Sequence, residues 1–125
     1  MKAIKITYWI TTGLIVLGML ANVYNYFFNP ALKVDFAHLG FPDWFRVELG
    51  IAKLLGAFAI AVPAVPTHVK EWAYFGFSIS FSSAIIAHYM AGDPAFNQIA
   101  PFFILMLLVA SYISFQKGIL HNQLA

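Results

Sequence analysis

Four long apolar stretches, closed off from one another by prolines and glycines, divide the chain. They cover about residues 6–28, 47–62, 72–90 and 99–115. Each approaches the roughly 20 residues that carry an α-helix across a bilayer, although the second and fourth are a little short. Asn29-Pro30 follows the first stretch, Pro63-Ala64-Val65-Pro66 the second and Gly92-Asp93-Pro94 the third, and Pro101 falls in the first turn of the fourth. The pattern predicts an all-α, polytopic membrane protein, a four-transmembrane-helix bundle in which residues 1–125 form a single membrane domain. The first stretch is longer than a signal-peptide core of roughly 7 to 15 residues and no small-x-small cleavage site follows it, so it is expected to be retained.

Composition sharpens this reading. Hydrophobic residues make up 62% of the chain and charged residues 10%, against about 25% charged in a soluble domain. The lipid bilayer is therefore the first expected partner. The seven basic residues are scattered and give a net charge of +2, which suits membrane orientation and offers no groove for nucleic acid. With the N-terminus cytoplasmic, Lys2, Lys5, Lys70 and Lys117 lie inside and Lys33 and Arg46 outside, so both termini are expected in the cytoplasm. Trp9 and Trp72 would then mark the inner interface and Trp44 the outer. No cysteine is present, which excludes disulfides, thiolate metal sites and thiol redox chemistry within the chain. No metal site and no intrinsic cofactor are expected, and any redox role must borrow its electron carrier.

The charged residue that stands out is Lys53, inside the apolar run from Leu49 to Val62. A lysine near the centre of a membrane helix costs roughly 2.5–3.5 kcal/mol on insertion scales, so it should face a partner, water or a ligand. Its face carries Leu49, Ala52, Gly56 and Ala57, and Ala52 with Gly56 makes a small-xxx-small pair that admits a close neighbour. Glu48 lies five residues away, about 140° around the helix, and is poorly placed to pair with it. The partner is expected on another helix: His88, Asp93, or the stripe Asn22, Asn25 and Asn29, beside which Tyr26 sits. In the assumed orientation all these groups gather in the outer half of the membrane, and the inner half is left to aliphatic and aromatic side chains. Together they read as one polar pocket opening outward, with the connection from Asn29 to Arg46 lying over it as an aromatic lid or simply anchored in the interface.

Each polar residue also has a purely structural reading. Glu48 can favour its helix N-terminus or pair with Arg46, Asp93 can shape its Gly-Asp-Pro turn, and His88 can be satisfied by a carbonyl instead of exchanging protons. The asparagines can act as interhelical glue, and Ser78, Ser80, Ser82 and Ser83 can back-bond within their helix.

Five segments carry a resemblance. Tyr8-Trp9-Ile10-Thr11-Thr12-Gly13-Leu14, His38-Leu39-Gly40-Phe41-Pro42, Leu49-Gly50-Ile51-Ala52-Lys53-Leu54-Leu55-Gly56, Lys70-Glu71-Trp72-Ala73-Tyr74 and Ala87-His88-Tyr89-Met90-Ala91-Gly92-Asp93-Pro94, in this order, resemble the DoxX-like family of small bacterial four-helix membrane proteins. The resemblance implies a four-helix transmembrane bundle in the bacterial inner membrane. Broader DoxX relatives are linked to membrane oxidoreductase assemblies, including a thiosulfate:quinone oxidoreductase subunit, and other distant relatives serve as assembly factors. It implies no agreed catalytic mechanism, so no catalytic residue is assigned and enzymatic activity stays open. The expected function is a small accessory or redox-associated subunit that binds a small ligand, a quinone being the leading candidate. Lys53 would hold an anionic or carbonyl oxygen, His88 would exchange a proton, and Asn22 and Asn25 would orient the ligand, with Glu48 and Asp93 completing the set. The alternative is a structural or chaperone-like assembly partner with no ligand chemistry. Expected protein partners are a membrane or redox protein, or a second copy of the chain.

Overall fold

Prolines and glycines set the helix boundaries. A computed structural model describes residues 2–124, and among them are five helices and no strand: α1 (Lys2–Phe28), α2 (Ala31–His38), α3 (Asp43–Ala61), α4 (Thr67–Met90) and α5 (Phe96–Leu124). Pro30, Pro42 and Pro66 stand immediately before α2, α3 and α4, where a missing N–H leaves no helical bond unmade. The helices α2 and α4 end alike. Gly40 and Gly92 adopt φ of 88° and 77°, a left-handed conformation that glycine takes without steric cost. The Phe41 and Gly40 N–H groups donate to the Phe36 and Ala37 carbonyls at 2.9 and 3.1 Å, and the Asp93 and Gly92 N–H groups to those of His88 and Tyr89 at 3.0 and 3.1 Å. Both ends are Schellman closures, and a proline follows each.

The four expected spans lie almost entirely within four longer helices. The second was expected from residue 47, yet α3 begins at Asp43 because the extended Pro42 (ψ 156°) releases the chain into a helix there. The third begins at Thr67, directly after Pro66. The helix α5 starts at Phe96, which places Pro101 in its second turn and not its first. Hydropathy marks only the apolar part of a helix, whereas the hydrogen-bond ladder continues into polar sequence until proline or glycine stops it. For the same reason the connection from residue 29 to 46 is not a plain loop, since it contains α2.

Among the described residues α1 packs against α3 and α5, and α4 packs against the same two helices, while α2 touches α1 and α3. The core between them is formed by Ile15 and Met19 of α1, Ala57 and Ile60 of α3, Tyr74, Phe77 and Phe81 of α4, and Leu108 of α5. These spacings of three, four and seven residues mark one buried face per helix. Gly56 contributes by what it lacks: a Cβ there would lie 2.7 Å from Phe77 Cζ. The expected small-residue contact thus receives a phenyl ring, and its other member, Ala52, is exposed.

The outward faces are apolar. Leu17, Leu55, Phe75 and Phe103, one from each long helix, are all more than 60% exposed. By length and composition two helical segments could cross a membrane, Lys2–Phe28 and Phe96–Ile119. The helix α3 carries Asp43, Arg46, Glu48 and Lys53 within 19 residues, and α4 is diluted by its serines and His88.

Candidate functional site

Lys53 is buried, with 6% of its surface exposed. Its ammonium donates to Asn22 Oδ1 at 2.9 Å and to the Tyr26 hydroxyl at 2.8 Å. Asn22 and Tyr26 are one turn apart on α1, so a single helix face solvates the cation. The Nζ also lies 4.6 Å from the Tyr26 ring centroid and 5.4 Å from that of Phe81, distances at which an aromatic face attracts a cation. Tyr26 is held in turn by the edge of Phe36 from α2, with ring centroids 5.2 Å apart and planes at 82°. Arg46, buried at the start of α3, donates to the Tyr26 carbonyl and pairs with Asp43 at 3.0 Å.

A cavity of about 520 Å³ opens beside this cluster. Asn22 and Tyr26 line it from α1, Asp35 and Phe36 from α2, Leu49 and Lys53 from α3, and Ser80, Ser83 and His88 from α4. Phe41 and Phe45 close it from the α2–α3 corner, with rings stacked 5.0 Å apart. Phe36 of α2, with Phe41 and Phe45 from the corner that follows it, thus covers the cavity with aromatic side chains.

Behind His88 lies a second cluster. The Asp93 carboxylate accepts from His88 Nδ1 at 2.7 Å and from His38 Nε2 at 2.6 Å. These two bonds, that of His88 first, hold the Asp93 carboxyl below its ordinary pKa. An ionised carboxylate only accepts, so both imidazoles donate to it. The two Schellman closures build this contact, because they set His38 as the last residue of α2 and Asp93 two residues beyond the α4 cap. His38, Asp35, His88 and Asp93 also line a neighbouring open cavity of about 680 Å³, so His88 and Asp35 belong to both.

Of the expected site residues, Lys53, Asn22 and His88 share the cavity, and Asp93 grips His88 from outside it. Asn25 does not line it; its side chain accepts from Asn29 at 3.5 Å near the end of α1. Glu48 is exposed, and Arg46 takes Asp43 as its partner, three residues away on the same turn. Two contributors carried weaker signals. Tyr26 follows Asn22 by one turn, which identifies it as a partner once α1 faces α3. His38 ends a short helix that hydropathy does not reveal.

The other end of the helices corrects an expectation. It is not purely aliphatic and aromatic: the buried Ser111 Oγ lies 2.6 Å from Thr12 Oγ1 and 2.7 Å from the Tyr74 hydroxyl, joining α1, α4 and α5. Lys70, 6% exposed, donates to the carbonyls of Ala59 and Val62 at 2.8 Å and of Ile60 at 3.4 Å. The end of α3 at Ala61, ahead of Pro63, leaves carbonyls without helical donors, and a lysine at a helix C-terminus both bonds them and opposes the dipole. Lys5, Pro63, Lys70 and Gly118 line one pocket at this end.

The sequence pattern of the DoxX-like family matches residues 10–111. The chain belongs to the DoxX-like family. In this DoxX-like protein the match takes in Asn22, Tyr26, His38, Lys53, His88 and Asp93, and its last residue, Ser111, is the hydroxyl that joins Thr12 to Tyr74. No curated protein and no solved structure matches the chain.

Proposed function

We propose that this DoxX-like protein is a polytopic membrane protein of four spans with both termini cytoplasmic, and that it binds a small ligand in the Lys53 cavity as an accessory or redox-associated subunit. The observation that carries the reading is a buried ammonium whose partners are both neutral, Asn22 and Tyr26. Those partners solvate the charge without cancelling it, so the cavity keeps a positive pole within apolar and aromatic walls. A carbonyl or anionic oxygen on a flat, largely apolar molecule complements it, and a quinone head group is the leading candidate. Such a group would set one oxygen against Lys53 and Asn22 and its ring against Phe36, Phe41 and Phe45.

Exposed apolar side chains on all four long helices support four spans, because a surface of that kind is stable against lipid. Lys5 and Lys70 lie at the same end as Gly118, which agrees with one cytoplasmic face, and the cavity then opens toward the outer leaflet.

The competing reading is a structural or chaperone-like partner in membrane assembly. It is favoured by the fact that Lys53 ties α3 to α1 through both of its hydrogen bonds, as interhelical glue would. Mass spectrometry of small molecules released from gently purified protein separates the two. The binding reading expects a defined molecule in the parent protein and its loss in Lys53→Met. No molecule in the parent protein, with the helices intact, favours the structural reading.

A further inference from the structure

The contact with Asp93 selects the tautomer of a neutral His88. Asp93 accepts from His88 Nδ1 at 2.7 Å and from His38 Nε2 at 2.6 Å, and with 11% of its side chain exposed it is held on both oxygens. The neutral His88 ring therefore carries its proton on Nδ1 and keeps a lone pair on Nε2. His88 lines both the cavity that contains Lys53 and the neighbouring one, whereas Asp93 lines only the neighbouring one, so the carboxylate reaches the imidazole from outside the Lys53 cavity. Lys53 spends two N–H groups on Asn22 and Tyr26 and has a third to offer. A base and a fixed cation thus share one largely apolar chamber. The other charged group facing it is Asp35 of α2, exposed at the boundary of the two cavities.

We propose that the cavity takes a neutral, weakly acidic hydroxyl compound, of the phenol, enol or quinol class, and ionises it in place, with His88 as the base and Asp93 as its positioning residue. The proposal rests on the reading of this cavity as a ligand site. The ligand O–H bond breaks and an N–H bond forms at His88 Nε2, while the electron pair stays on oxygen. The products are an oxyanion beside the Lys53 ammonium and an imidazolium against the Asp93 carboxylate. No electron is transferred and no proton reaches the solvent. Asp93 keeps its charge throughout; it fixes the tautomer and stabilises the imidazolium, as a carboxylate does behind a catalytic histidine. His38 secures the second carboxylate oxygen.

The test uses the full chain in detergent, in weakly buffered solution just below the ionisation midpoint of 4-nitrophenol, whose phenolate absorbs visible light. 4-Nitroanisole, the methyl ether with no acidic proton, is the matched control, and empty micelles give the baseline. The parent protein is expected to raise the phenolate absorbance above that of micelles without releasing an equivalent proton to the solution. Asp93→Asn offers one acceptor and no charge, and His88→Gln offers no base; each is expected to lower the phenolate signal at least about tenfold while 4-nitroanisole still binds. Phenolate at the parent level in Asp93→Asn, or one proton released per phenolate bound, overturns the proposal and leaves the cavity reading standing if 4-nitroanisole binds. If neither probe binds the parent protein, the proposal and the cavity reading fall together.

Discussion

Lys53 Nζ donates to the Tyr26 hydroxyl at 2.8 Å, joining the middle of α3 to α1. The bond lies in the buried interior of the bundle, and its acceptor is neutral. Asn22, one turn away, supplies the second acceptor. A carboxylate in that position would have given a closed ion pair and no pole for a ligand. Asp93, the carboxylate that sequence spacing offers as a partner, is instead occupied by two histidines.

This geometry predicts an asymmetry between the two partners. Tyr26→Phe leaves the Lys53 ammonium with one acceptor fewer and should destabilise the protein, whereas Lys53→Met removes the cation and should cost less. The double variant should be more stable than the sum of the single effects predicts, with a coupling of about 0.6 kcal/mol, the average for polar pairs within membranes. Thermal unfolding in detergent measures all three. Additivity would mean that the two side chains do not interact.

Lys70 makes a separate prediction about α3. Its contacts to the Ala59 and Ile60 carbonyls replace helical donors missing at that end, and a third reaches the carbonyl of the cap residue Val62. Lys70→Met keeps much of the apolar stem and deletes the donors, so it should destabilise the protein by about 1–3 kcal/mol. Hydrogen exchange should quicken in the last turn of α3 and stay slow near Lys53. Unchanged protection at both sites would show that water or another donor caps those carbonyls.

Much of this architecture could be read from the chain, and the reasons differ by residue. Proline positions and apolar runs located the four long helices because both act locally, through missing N–H groups and through the length of an uninterrupted apolar segment. The short helix α2 escaped because its eight residues mix Asp35, Lys33 and His38 with Val34 and Phe36 and show no clear period. Lys53 stood out because its burial is costly wherever it is placed. Its partner was narrowed to three choices, and the asparagine stripe supplied one through Asn22, but choosing among them depends on which helix α3 faces. The same holds for Ser111: a serine in an apolar helix reads as small until packing sets Thr12 and Tyr74 against it.

The clasp on Asp93 predicts a pH dependence with a definite sign. Its folded pKa lies below the unfolded value of about 3.9, because His88 and His38 both donate to the ionised form. The carboxylate therefore stabilises the fold fully above roughly pH 5, and that contribution fades as pH falls through the unfolded value to the lower folded one. Melting temperatures of the parent protein and Asp93→Asn should differ near neutral pH and converge as the solution is acidified into that range. A difference that persists undiminished at the acid end would assign the effect to packing of the turn and not to the charge.

Topology can be tested in a chain that contains no cysteine. Single cysteines at Lys33 and Lys117 should label differently with an impermeant thiol reagent added to intact cells, Lys33→Cys reacting and Lys117→Cys reacting only after lysis. The opposite pattern would turn the Lys53 cavity toward the cytoplasm. Equal labelling would exclude a fixed four-span arrangement.

The last prediction separates the two neighbouring asparagines. Sequence spacing sets Asn22 and Asn25 on one stripe, and both were expected to orient a ligand. In the structure Asn22 lines the cavity and accepts from Lys53 at 2.9 Å, while Asn25 lies off the cavity with its side chain directed to Asn29. Leucine is nearly isosteric with asparagine, so Asn25→Leu should leave expression and stability unchanged, whereas Asn22→Leu, like Tyr26→Phe, takes one acceptor from the Lys53 ammonium and should lower thermal stability while the protein still folds. Asn25→Leu should leave any co-purifying molecule at the parent level, because it removes only one weak, exposed hydrogen bond. Asn22→Leu deletes an acceptor of the Lys53 ammonium and sets an alkyl group into the polar corner of the chamber. The released molecule, measured by mass spectrometry, should then fall several-fold, a change on the order of 1 kcal/mol. Equal loss in both variants, with equal loss of thermal stability, would show that the stripe acts through helix packing and not through the cavity.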